Sequence, residues 1–299
     1  MKTVIGIDLG GTNVRVAKVS LEGKILQEFK SPCYAQEGPE KVTSNIIELL
    51  GKIDDIKSCS GIGIGVAGPV DTVTKQLKMS TNLPGLAFYP ICEKIEKAFG
   101  LPTYMDNDAN VAGLAEALLG AGRGHKVVYF IIHGTGVGGA LVVNGQVVSG
   151  KNGYAGEIGN IIVTREGEKV NHLNIGAVEN LASGAALIKI AQKRINPNIN
   201  TAYEIFKLAK AGDITALDIV DKMAFDFASA CSAIGHVVDP SIFVVGGGVV
   251  QSHELYFPLV KKYYDQMVHE GMRGVQFIPA ELDEPGILGA AMLPISQGN

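Results

Sequence analysis

The chain has 299 residues, 46% of them hydrophobic and 19% charged, with no Trp; this is ordinary globular composition at a length that fits one large domain or two smaller ones. Lys and Arg number 26 against 30 Asp and Glu, and without a basic run there is no electrostatic footprint for nucleic acid. No apolar stretch is long enough for a membrane span, and Cys33, Cys59, Cys92 and Cys231 lack CxxC spacing, so they read as reduced thiols of a cytoplasmic protein.

In chain order, the first element is an apolar run that meets Asp8 too early for a signal peptide. Residues 3–26 read as apolar run, Gly/Thr turn, apolar run, Glu22-Gly23 turn and a third short run. Residues 127–148 repeat that order, with Asn144-Gly145 as a strong hairpin signal. Two such copies suggest two similar α/β lobes with a cleft between them; two unrelated hairpins are the plainer alternative. Between the copies, residues 60–66 read as a buried strand and Gly68-Pro69-Val70-Asp71 as the loop after it. Residues 109–119 carry Val111, Leu114, Ala115, Leu118 and Leu119 at helical spacing. Beyond the second copy, a helix is expected over 178–195 and another over 216–238, stopped by Asp239-Pro240. Ile242–Val245 then forms a strand leading into Gly246-Gly247-Gly248, and Ser252 is positioned to cap a helix running through Tyr264. The alternation predicts an α/β fold.

Three glycine-rich turns follow strands. Asp8-Leu9-Gly10-Gly11-Thr12 offers backbone N–H groups and a hydroxyl to a phosphate, with Asp8 placed to hold Mg²⁺, directly or through water. Gly134-Thr135-Gly136-Val137-Gly138-Gly139 is its counterpart in the second copy, and Gly246–Gly248 would suit an adenosine or α-phosphate. None fits the Walker or dinucleotide pattern, and each taken alone is also a plain tight turn. Asp106-Asn107-Asp108-Ala109-Asn110 precedes the 109–119 helix. One cap needs one side chain, and this cluster supplies four. Asp108 at the helix N-terminus is expected to be held ionised by the dipole and so to accept a proton from a hydroxyl.

These residues together resemble the ROK family of sugar kinases and repressors over nearly the whole chain. The matching segments are Asp8–Thr12, Gly68–Asp71, Thr81-Asn82-Leu83-Pro84, Asn107-Asp108, Gly134–Gly139, Ala155-Gly156-Glu157-Ile158-Gly159 and Pro285–Ala291. The resemblance implies a two-domain, actin-like or ribonuclease-H-like ATPase fold and ATP and Mg²⁺ as cofactors. It also implies a hexose substrate, glucose first, and a homodimer. It assigns Asp108 as catalytic base, and Gly68, Asn82, Asn107, Asp108, Glu157, Asn160 and Glu179 to the sugar. ATP falls to Asp8, Gly10, Gly11, Thr12, Gly134, Thr135, Gly136, Gly138, Gly246, Gly247 and Gly248. The expected domains are 1–117 completed by a C-terminal helix 287–299, and 118–286.

One departure is systematic. The family's AGEIGH histidine is Asn160, and the cysteines of its following CxCGxxGCxE stretch fall on Val170, His172 and Ala177, while Glu179 is kept. A tetrahedral zinc site cannot survive that loss, so no zinc is expected and packing and hydrogen bonds must hold the loop. His133 is expected to be a packed strand-end residue, and Arg15 is given no chemistry. Fructokinase, N-acetylhexosamine kinase and β-glucoside kinase remain open within the family. A DNA-binding repressor lacks room before Asp8 for its helix-turn-helix, and a non-catalytic sugar sensor should have lost Asp108.

Overall fold

The computed structural model describes residues 2–170 and 172–298. The chain forms two compact units: Met1–Gly124, Ala140–Ala155 and Glu281–Asn299 in the first, His125–Gly139 and Gly156–Ala280 in the second.

In the first unit the strands are β1 (Thr3–Leu9), β2 (Asn13–Ser20), β3 (Ile25–Pro32), β4 (Ile62–Val66), the short hairpin β5 (Val70–Asp71) and β6 (Gln76–Leu77), and β7 (Thr103–Asn107). Its first helices are α1 (Pro39–Leu50), α2 (Ile91–Phe99) and α3 (Asp108–Leu118). The sheet order is β3-β2-β1-β4-β7. β1 and β2 are an antiparallel hairpin, and β1, β4 and β7 run parallel. Strands β1 and β4 are buried almost throughout, as expected for parallel strands covered on both faces.

β8 (Val127–His133), β9 (Val137–Val143) and β10 (Gln146–Val147) repeat the opening hairpins; β11 (Ile242–Gly246) and β12 (Gln276–Pro279) run parallel beside β8. This sheet has order β10-β9-β8-β11-β12, the same plan as the first. The internal repeat in the sequence is therefore a repeat of topology. The second unit's helices are α4 (Glu179–Ala182), α5 (Gly184–Arg194), α6 (Ala202–Lys210), α7 (Ile214–Val238) and α8 (His253–Met267). The chain closes with α9 (Pro285–Gln297) in the first unit. There, glycines let the helix backbone press onto strand and helix: a Cβ on Gly63 would collide with the Ala290 carbonyl, and one on Gly289 with that of Val111.

Several expectations are corrected. The helix expected over 178–195 is two helices, because Ser183 adopts extended backbone and caps α5 through its Oγ, which accepts from Ala186 N at 3.1 Å. Ser252 makes no side-chain cap; a 3₁₀ turn over Gly248–Ser252 runs straight into α8. The chain leaves the first unit after Gly124, not after residue 117. Residues 140–155 join the first unit because the β9–β10 hairpin is tied to it: Ser296 Oγ donates to the Gly145 carbonyl at 2.9 Å and Ser149 Oγ to Asp106 at 3.3 Å.

Candidate active site

In the first unit, β7 delivers the acidic cluster directly into α3. Asn107 is the N-cap, its Oδ1 accepting from Asn110 N at 2.6 Å. That commits the carbonyl end of Asn107 and leaves its amide NH₂ as the group to offer a ligand. Asp106 is 1% exposed and organises the turn, accepting from Asn107 N (2.8 Å) and Asn110 Nδ2 (2.7 Å). Asp108 is the first residue of α3 and its Oδ1 accepts from Ala109 N at 2.9 Å. The helix end is not alone in setting the charge of Asp108. Its side chain reaches solvent, yet the protein around it displaces enough water to push the carboxyl above the usual aspartate value, outweighing the hydrogen bonds that favour the ionised form. A raised carboxylate is the stronger base.

Asp8, near the end of β1, is placed beside Asp108 electrostatically. Burial raises its carboxyl, Arg15 opposes that, and the negative charges of Glu284 and Asp108 add to it. Arg15 is more than a surface residue: it donates to Glu28 (2.7 Å) and to Glu284 (2.5 Å), so it organises the charge around Asp8. The Gly10–Thr12 turn closes through Gly10 N to Asn13 O at 3.0 Å. A Cβ on Gly11 would lie 2.9 Å from both the Cβ and the carbonyl of Asn82, so that turn and Asn82 are in contact. Gly68 has φ 123° and its Cβ position is blocked by the Met79 carbonyl; only glycine fits. Thus Asp8, Gly10, Gly11, Thr12 and Asn82 gather in one region. β4–β7 pairing of Val66 with Asn107 brings the Gly68 loop towards Asp108.

In the second unit, the Gly134–Gly138 turn is braced from below. Gly184 N donates to Gly134 O (2.8 Å), Ala185 N to Thr135 O (3.2 Å) and Val137 N to Glu179 Oε2 (2.7 Å). Glu179 therefore supports the glycine turn, a role the sequence reading did not foresee. Gly247 has φ 93° with the His133 backbone against it, so Gly246–Gly248 packs beside the same turn. A cavity of about 380 Å³ opens there, its lining including Gly134, Thr135 and Gly248 together with Ile188, Tyr203 and Val249. Those three apolar side chains were missed because no motif marks them. Glu157 is exposed; burial raises the Tyr129 hydroxyl, and negative charge at Cys231 and at Glu157 adds to that. Tyr129 donates to the Gly156 carbonyl at 2.8 Å, fixing the turn before Glu157.

Asn160 accepts from Asn174 N at 2.8 Å, and Asn180 Nδ2 donates to Asn174 O at 3.1 Å. An Ile162–Ala177 bridge and a Val163 N to Gly176 O bond of 2.9 Å complete the loop. Side-chain amides thus tie together the loop around Asn160 and Asn174. Among the described residues no cluster of three or more His, Cys, Asp or Glu is grouped to hold a metal. His133 is fully buried, stacked on Phe227, with Nε2 2.8 Å from Ala182 O and Nδ1 3.1 Å from Tyr256 Oη. Burial pulls it down to about 4, so it is neutral, Nε2–H donating to the carbonyl.

The ROK family model matches residues 4–297. The chain is 32% identical to a glucokinase of Halalkalibacterium halodurans, over 99% of this chain and 96% of that one. It superposes on a ROK hexokinase from Thermus thermophilus with TM-score 0.84 at 30% identity, covering 97% of each chain. A ROK glucokinase from Streptomyces griseus, in complex with glucose and AMPPNP, matches with TM-score 0.73 at 29% identity, covering 99% of this chain and 100% of that one. The match spans both units and every glycine turn described above, and the chain belongs to the ROK family.

Proposed function

We propose that this protein is an ATP-dependent sugar kinase that transfers the γ-phosphoryl group to a hexose hydroxyl, with glucose as first substrate. The observation that carries the reading is Asp108: a carboxylate at the surface of its unit, raised by its surroundings and set one residue after an Asn whose NH₂ is available. Asp108 takes the hydroxyl proton as the sugar oxygen forms its bond to the γ-phosphorus and the bond to the β-phosphate oxygen breaks. General-base help of this kind contributes about 10²–10⁴ in rate; positioning and charge neutralisation supply the remainder.

The first unit supplies Asn82, Asn107, Asp108 and the Gly68 loop to the sugar, and Gly10–Thr12 to the phosphates. The second supplies Glu157, Asn160 and Glu179 on the sugar side, with Glu179 also bracing the phosphate turn. The cavity beside Gly134, Thr135 and Gly248 suits a nucleoside, its apolar wall of Ile188, Tyr203 and Val249 taking the adenine ring. Mg²⁺ fits at Asp8, where Glu284 and Asp108 add negative charge; a single carboxylate leaves the other positions to water and phosphate oxygens, as this ion prefers. When bound, the ion neutralises charge on the phosphates.

A homodimer in the cytoplasm belongs to the same reading. Exposed Ile214, Leu217 and Phe225 recur at helical spacing on α7, which supports self-association. All four cysteines are free and buried, which supports a reducing compartment. No helix among the described residues is long and apolar enough to cross a membrane. The test is a panel of hexoses with ATP and Mg²⁺ in a coupled assay, read as kcat/KM. Glucose is expected to lead; if no hexose stimulates ADP formation, the reading fails.

A further inference from the structure

Glu116 lies two turns down α3 from Asp108, and it is 0% exposed. A buried carboxylate is costly unless its oxygens are satisfied, and here the donors are all main-chain. Oε2 accepts from Ala121 N at 2.9 Å. Oε1 accepts from Leu282 N at 2.8 Å, and Glu281 N is shared between Oε1 and Oε2 at 3.1 and 3.2 Å. The Glu116 carbonyl also accepts from Gly120 N (3.2 Å) and Gly122 N (2.9 Å). A Cβ at position 120 would collide with Glu116 Oε2, so the glycine there leaves the carboxylate its place.

The places of these donors in the chain give the cluster its meaning. Residues 120–122 are the last turn before the chain leaves the first unit at Gly124, and Glu281 is where it returns. One side chain therefore ties the outgoing and returning segments to the helix that presents Asp108. The returning segment continues into Glu284, which pairs with Arg15, and into Gly286, whose Cβ position lies 3.8 Å from the Asp8 carboxyl. Both acidic groups of the proposed chemistry thus trace back to the same anchor.

We propose that Glu116 is a positioning residue for phosphoryl transfer, fixing the two chain crossings to α3 so that Asp108 and Asp8 keep their reacting geometry. The proposal rests on the kinase reading. Small displacements at a reacting centre are expensive in rate, whereas binding of the sugar is shared with Asn82 and the Gly68 loop, which make no bond to this anchor.

Two variants unseat the carboxylate independently. Glu116→Gln removes its charge and turns an NH₂ towards backbone donors. Gly120→Ala keeps the charge and displaces it sterically. With glucose and ATP, each is expected to lower kcat per folded molecule fivefold or more, to leave the glucose Kd within threefold, and to raise the ratio of ATP hydrolysed to sugar phosphorylated. A change in kcat below fivefold in both variants overturns the proposal, because an anchor that serves stability alone alters the folded fraction and not the turnover of folded molecules. If neither variant folds, hydrogen exchange on the unsubstituted chain decides: protection of the Ala121, Glu281 and Leu282 amides equal to that of α3 supports the anchor, and exchange within seconds overturns it. An unsubstituted chain inactive on every hexose refutes the kinase reading, and this proposal with it; an active one with unaltered variants refutes this proposal alone.

Discussion

The two glycine turns after β1 and β8 arise from the same strand order, yet they are supported in different ways. The Gly10–Thr12 turn closes on its own hairpin through Asn13, and the carboxylate behind it, Asp8, comes from its own strand. The Gly134–Gly138 turn is held by other elements, with the α5 N-terminus and Glu179 taking its backbone groups. The carboxylate of the first turn can meet a cation, whereas one oxygen of the second is already occupied by Val137 N. On the proposed reading, repetition of a fold plan has left one turn to serve metal and chemistry, and the other to hold the nucleotide.

The largest effect should come from the acid that the first unit alone provides. Asp108→Asn is expected to lower kcat by about 10²–10⁴ while calorimetry still detects glucose binding; activity within tenfold of the unsubstituted enzyme removes Asp108 from the mechanism. The same residue makes a pH prediction. Its carboxyl, like that of Asp8, lies above the ordinary aspartate value, and the base must be ionised to work. The acid limb of kcat/KM should therefore fall at a higher pH than an unperturbed aspartate gives, and a limb near pH 4 would contradict the burial argument.

The two turns can next be compared by adding a single methyl to each. Gly11→Ala strikes the backbone of Asn82, which cannot swing aside, whereas Gly136→Ala meets the Glu179 carboxylate at 2.7 Å, a side-chain end that can shift at the cost of its bond to Val137 N. Gly11→Ala should cost kcat/KM on the order of tenfold or more. Gly136→Ala should cost less and appear mainly as a raised KM for ATP. Equal losses would erase the distinction between the turns.

The smallest effect concerns stability. Asp226 on α7 in the second unit is raised by burial alone to about 6. A folded-state value above the unfolded one favours the protonated form, so its contribution is fully present below about pH 4 and is lost as pH rises through about 6. Asp226→Asn should raise the melting temperature at pH 7.5 by a few degrees and leave it unchanged at pH 4, without altering kcat.

Much of this was legible in the sequence because local chemistry and tertiary structure agree. The Asn144-Gly145 turn, the α3 start at Asp108 and the strand before Gly246 follow from turn residues, capping chemistry and apolar runs. The break at Ser183 was not legible, since apolar spacing continues across it and the cap emerges only when Gly184 N meets the Gly134 carbonyl. Glu157 and Asn160 were assigned through motif alone, and the bond that commits Asn160 Oδ1 to Asn174 is long-range. Glu116 was missed for a similar reason. A glutamate within a helix reads as a solvated face, and its donors at 281–282 lie more than 160 residues away. Gly120 and Gly122 just after the helix were the one local hint.

The central claim is transfer of a phosphoryl group to a sugar hydroxyl, and phosphorus NMR of the chain mixed with ATP, Mg²⁺ and glucose tests it directly. The account predicts ADP and glucose 6-phosphate appearing one for one. ATP consumed to ADP and inorganic phosphate with no sugar phosphate, or ATP left intact, would contradict it.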